Sequence, residues 1–202
     1  MKRRMLSISF CILAVLIMLV ALALQTQQRQ LSEKLIRLHV VARSDSEHDQ
    51  EVKLSVRDAV LARTREILDG CDDPRGALQG ALTEIEAAAQ EQLKSLGEDE
   101  NVTVRLGKEL FPTRDYETFS LPAGVYESLR VTIGEGAGHN WWCVVFPSIC
   151  LTSSMDELEQ AAQTAGFTDS EIKLITEADD GFVLKFKLVE LIQKLKNFLT
   201  DT

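Results

Sequence analysis

Positive charge is what this 202-residue sequence most lacks, with 22 lysines and arginines against 31 aspartates and glutamates. Three of the cations, Lys2, Arg3 and Arg4, sit at the very start; beyond them 19 basic residues face 31 acidic ones, a net charge of −12. A domain so charged repels nucleic acid and anionic lipid headgroups, which argues against DNA binding and against a basic patch holding it to a membrane. Histidine and cysteine are scarce as well, at three and four residues. There is no CxxC pair and the histidines are scattered, so metal-ligand spacing is missing and no metal or cofactor is expected.

One long uncharged run is present. Residues 5–24 read MLSISFCILAVLIMLVALAL, and about 20 residues at ~1.5 Å rise each are enough to cross a bilayer core. The cations before this run orient the N-terminus toward the cytoplasm and everything after Leu24 outside. Ala21-Leu22-Ala23 also has the small residues of a signal-peptide cleavage site. Residues 1–24 are therefore expected to be a transmembrane anchor or signal segment, the glutamine-rich residues 25–34 a tether, and residues 35–202 an exported domain. With 45% hydrophobic residues, the chain can bury one substantial core.

Within the domain, Ile36, Leu38 and Val40 alternate with Arg37 and His39, the pattern of a half-buried strand with the polar pair on its solvated face. In ARSDSEHDQ, Ser44 and Glu47 have capping-box spacing, and a helix follows to about Leu68. Its stripe is Val52, Val56, Ala59, Val60 and Ile67, with Arg57 and Asp58 beside it. Asp45, Glu47 and Asp49 share the alternate spacing of a calcium loop. Gln50, however, stands where that loop needs glycine and Val56 where it needs glutamate, so capping accounts for the acids. A second helix is expected from Asp72-Asp73-Pro74 to Gly97, burying Leu78, Leu82, Ile85, Ala89, Leu93 and Leu96. NVTVRL reads as a strand, and FPTRDYETFSLPAG as a proline-bounded loop carrying Tyr116 and Phe119. VYESLRVTI and NWWCVVF follow as strands of an antiparallel hairpin turned by GEGAG. Helices at SMDELEQAAQTAG and over about 182–199 complete the pattern. The order implies an α+β fold, a sheet of roughly four strands with helices packed on one face.

The unusual chemistry lies in GEGAGHNWWCVVFPSIC, residues 134–150. GEGAG is not a phosphate loop, because no helix and no Lys-Ser/Thr pair follows it. His139 and Cys143 suggest a nucleophile with its base, but four positions along a strand at ~3.3 Å each separate them by ~13 Å. An exported cysteine hydrolase using Cys143 and a histidine, with His39 the one plausibly nearby on the sheet, is therefore the alternative function. Cys150 offers Cys143 a disulfide instead, and closing that eight-residue loop would stabilise the fold by ~2.5 kcal/mol. Cys71 is left as the odd cysteine. Strand alternation puts one of Trp141 and Trp142 inside. Arg37, His39 and Arg130 fall opposite the apolar face, where a solvated surface or a recognition surface would both fit.

Three stretches resemble the stage II sporulation protein R family of endospore-forming bacteria. They are IRLHVVARSDSEHDQEVKLSVRDAV (36–60), FPTRDYETFSLPAGVYESLRVTIGEG (111–136) and HNWWCVVFPSIC (139–150), joined by the N-terminal apolar run and the late VLKFKLVELIQKL. The resemblance implies a non-enzymatic signalling protein made in the forespore and exported into the space between forespore and mother cell. There it would trigger a membrane-embedded aspartic-type protease that cleaves pro-sigma-E in the mother cell. It carries over no catalytic residues. Where the family has ANSD, this chain has Ala42-Arg43-Ser44-Asp45, with a cation on the loop. The protease is the implied partner, and the residues expected to contact it are Arg37, His39, Arg57, Asp58, Asn140, Trp141 and Trp142.

Overall fold

A computed structural model describes residues 2–149 and 154–176. Helix α1 spans Lys2–Glu33. Its apolar side chains Leu16, Met18 and Val20 stand exposed, and among the described residues no helix is long and apolar enough to cross a membrane. Residues 25–33, polar in sequence, continue this helix, and its last turn delivers Leu31 into the protein interior.

Four strands form the main sheet in the order β2 (Val102–Phe111), β5 (Gly124–Ile133), β1 (Ile36–Val41) and β6 (Asn140–Phe146). β1 runs parallel to β5 and antiparallel to β6, and β2 runs antiparallel to β5. Register places Leu106, Leu129, Leu38 and Cys143 in one row across all four strands. That row and its neighbours face α2 (Glu47–Leu68), α3 (Pro74–Gly80) and α4 (Leu82–Ser95), which close the larger core with Val56, Val60, Leu78, Ile85 and Leu93. The four-stranded α+β architecture is thus the one the element order implies.

β5 and β6 do not form the expected hairpin, because β1 lies between them. The physical reason is burial: all six residues of β1 are buried, so this strand belongs in the middle of the sheet, where both faces are covered. The connection from β5 must then cross the end of β1. Ala137 and Gly138 donate backbone N–H groups to the Arg43 and Ala42 carbonyls at 3.2 and 2.9 Å. A Cβ at Gly138 would come within 2.2 Å of the Ser44 carbonyl oxygen, and Gly134 and Gly136 adopt φ of +56° and +64°. The glycines serve close backbone approach and a left-handed bend, as only glycine can without strain.

Two helix boundaries also differ. The N-cap of α2 is Ser46, whose hydroxyl accepts from the Asp49 N–H, two residues after the expected Ser44. The long second helix breaks at Ala81, the shared cap of α3 and α4, just after Gly80, a poor helix former.

The opposite sheet face is not solvated as expected. It carries a second core of Leu31, Leu35, Phe111, Tyr126, Val144 and Ile149. The segment between β2 and β5 folds back as a short hairpin of β3 (Arg114–Asp115) and β4 (Ser120–Leu121), placing Phe119 and Leu121 over that core. Helices α5 (Met155–Thr164) and α6 (Asp169–Thr176) add Leu158, Ala162, Ile172 and Ile175. Arg37 is consequently 0% exposed and His39 4%. The helix expected near 182–199 and Cys150 lie outside the described residues.

Candidate partner-contact surface

Alternation along β1 and β6 divides five of the seven expected contact residues between the two faces of the sheet, and α2 carries the other two, Arg57 and Asp58. Trp141 pairs with Val40 and so shares the helix-covered face. There the Arg57 guanidinium of α2 lies 4.5 Å from the Trp141 ring centroid, within cation–π range, and its Nη2 pairs with Asp58 at 2.7 Å. Trp141 remains 38% exposed and Asp58 is exposed too. A large aromatic ring held in place by a neighbouring cation, at the rim of the sheet, is the kind of anchor that protein contacts use.

His39, Asn140, Trp142 and Arg37 belong to the second face. The His39 ring stacks on Trp142 at 3.9 Å. Its Nδ1 lies 3.1 Å from a Glu109 carboxylate oxygen and its Nε2 2.9 Å from the Asn140 side-chain oxygen. Glu109 is the hub of this cluster, because Ser128 Oγ and Arg130 Nη1 also donate to it, at 2.7 and 2.8 Å. Sequence reasoning missed Glu109, although it shares the polar side of β2 with Thr103 and Arg105, a period-two signal that was there to read. Arg37 sits deeper. Its Nη2 donates to the Tyr116 hydroxyl at 2.6 Å, and its guanidinium packs over Phe111 and Tyr126 at 4.2 and 5.0 Å. Burial pushes the Tyr126 phenol up to about 12, so it stays protonated and donates to the Pro122 carbonyl. Of the expected patch, then, Trp141, Arg57 and Asp58 come together on the surface, Asn140 is exposed at the rim, Trp142 is half-buried, and His39 and Arg37 lie beneath.

The cation on the ARSD loop is paired internally. Arg43 binds Asp49 through two nitrogens at 2.7 and 3.1 Å and reaches Glu100 at 3.1 Å. Asp49, 4% exposed, also accepts from the Ser44 hydroxyl. The Ser44 hydrogen bond, helped by Arg43, holds Asp49 below the usual carboxylate range despite the opposing effect of burial. Burial pushes Glu109 upward, but hydrogen bonds from Arg130, Ser128 and His39 together bring it below that range too. A depressed folded-state value means stability that is present above the unfolded carboxylate pKa and is lost as pH falls through the folded one. Urea unfolding at a series of pH values should therefore show stability falling below about pH 4. Asp49→Asn should be weaker at neutral pH and flatter on the acid side; an acid slope matching wild type would sink this assignment.

Among the described residues no cysteine nucleophile meets a histidine base. Cys143 is 3% exposed and disulfide-bonded, while Cys71 is free. His139 lies outside β6, with Nδ1 2.5 Å from Asp45. The His39 ring belongs to the second-face cluster, across the sheet from the Cys143 side chain in the larger core. A cavity of about 770 Å³ between the end of α1 and the start of α3 gathers Arg29, Arg75, Lys108 and Glu127 rather than a catalytic pair. Among the described residues no cluster of three or more histidine, cysteine or acidic side chains could hold a metal ion.

The sheet, its larger-core helices and the Trp141 rim all fall within the stretch that known proteins share. A family model described as stage II sporulation protein R matches residues 32–156, from the last turn of α1 to the start of α5. Stage II sporulation protein R of Bacillus subtilis (strain 168) is 31% identical over 191 residues, covering 85% of this chain and 85% of its own. No solved structure matches. This chain belongs to the stage II sporulation protein R family.

Proposed function

We propose that this protein is a non-enzymatic sporulation signal, exported from the forespore into the space between forespore and mother cell. There it switches on a membrane-embedded aspartic-type protease by direct contact, so that pro-sigma-E is cleaved in the mother cell. Family membership supports the sporulation role. Lys2, Arg3 and Arg4 before the apolar run of residues 5–24 support export, with that run as signal or anchor. The disulfide at Cys143 suits an oxidising compartment. The charge of −12 beyond the N-terminal cations keeps the domain off nucleic acid.

The observation that carries a contact mechanism is the exposed Trp141 braced by Arg57 and Asp58. To move a partner from 1:99 to 99:1 in its active state, a ligand needs about 5.5 kcal/mol of differential affinity. Buried tryptophan and arginine anchors contribute about 2 kcal/mol or more apiece at interfaces, so a few of them suffice. Trp141→Ala should reduce pro-sigma-E processing in sporulating cells by about 10-fold or more, while urea unfolding of the purified domain changes little. Full processing at normal protein level would move the contact elsewhere on the molecule.

A further inference from the structure

The most anomalous group in the molecule is Arg37. It is fully buried, its side chain is always charged, and among the described residues no carboxylate pairs with it. Tyr116 satisfies Nη2, but Nε and Nη1 have no hydrogen-bond partner. The nearby acid on this face, Glu109, has its oxygens taken by His39, Ser128 and Arg130. Phe111 and Tyr126 offer the guanidinium their ring faces, which suits its charge but leaves its in-plane N–H donors free. A buried charge without a counter-ion is costly, and an apolar side chain of similar size would fill the same space at less expense. As a core residue alone, arginine is a poor choice at this position.

We propose that Arg37 is a receptor for a carboxylate, an aspartate or glutamate side chain presented by the partner, with Tyr116 as the gate over it. The assignment of that carboxylate to the partner rests on the signalling role proposed above. Nε and Nη1 each share an edge of the planar guanidinium with Nη2, so moving Tyr116 off Nη2 completes a two-donor fork for the two oxygens of a carboxylate. Tyr116 is half-buried at the tip of the β3–β4 hairpin, stacked on Phe119 at 4.5 Å. Phe119 and Leu121 root the hairpin in the second core, which leaves the Tyr116 side chain as the part that would swing away from Nη2. Arg114 on the same hairpin, 5.7 Å from the Trp142 ring, adds a cation at the approach.

Glutarate serves as the probe, titrated into the full chain in detergent while the Arg37 Nε–H resonance is followed by NMR. Chloride at matched ionic strength is the control. The expected result is a saturable shift with glutarate and none with chloride. Binding should be about 10-fold tighter in Tyr116→Phe, which removes a charge-assisted hydrogen bond from the unliganded state. Absence of a saturable shift overturns the receptor, and an equal response to chloride overturns its carboxylate selectivity. For the partner, Arg37→Met should fold but lose about 10-fold or more of its signalling. If that variant fails to fold, Arg37→Lys, which keeps the charge but not the fork, should show the same loss. Wild-type signalling from a folded variant overturns the assignment of the carboxylate to the partner. The titration needs no protease, so its failure is separable from failure of the signalling role.

Discussion

Replacing Cys143 with alanine is expected to lower the stability of the domain by about 2–5 kcal/mol, the usual cost of losing a native disulfide from a small exported fold. The sulfur is disulfide-bonded and the residue is 3% exposed, at one end of the row that continues through Leu38, Leu129 and Leu106. Alanine is chosen because serine would also bury a hydroxyl without a guaranteed partner. With Cys150 as the expected partner, Cys150→Ala should reproduce the effect, and the double variant should cost little more than either single one. The result that would sink the staple is a Cys143→Ala domain as stable as wild type but silent in signalling, the behaviour of a lost nucleophile. A sulfur held in a disulfide has no thiolate to offer, which is why stability rather than chemistry is expected to change.

Leu38→Ala is expected to cost a further-reaching 2–5 kcal/mol, roughly the range for truncating a fully buried leucine. Leu38 is 0% exposed and sits between Leu129 and Cys143 in the two central strand pairings. Both neighbouring strands are fixed by long hydrogen-bonded ladders, so the space left by the side chain cannot close easily. The comparison variant is Leu110→Ala on the edge strand, where the side chain is 62% exposed and the cost should stay within about 0.5 kcal/mol. Urea midpoints at unchanged slope measure both. A Leu38→Ala loss no larger than that at Leu110 would mean that β1 does not hold the centre of the sheet. Because Arg37 and His39 lie on the same strand, loosening it should also weaken the second-face network.

Much of this molecule was legible in local pattern. Period-two alternation located β1, β2, β5 and β6, and 3.6-residue periodicity with acidic starts located α2 and α5, because burying one face of an element imposes its period on the chain. The same alternation said that Trp141 and Trp142 must part company. It could not say which side of the sheet each would take, since that depends on the strand beside β6. A proline-bounded loop gave no hint that Tyr116 would cover a buried arginine, because the partner of Tyr116 is 79 positions away in sequence.

The sequence by itself determined the charge of the domain, its element types, the uncharged N-terminal run and the family motifs, all properties carried by single residues or short windows. The tertiary structure alone decided strand order, and with it what the polar residues of β1 do. A strand read in isolation shows one apolar face and one polar face, and the natural inference is that the polar face meets water. The end of α1, the β3–β4 hairpin and helices α5 and α6 laid a second layer over that face. Arg37 and His39 thereby became interior groups that must find partners, His39 in Glu109 and Asn140, Arg37 only in part in Tyr116. Burial is a sum over distant parts of the chain, and no local window contains it.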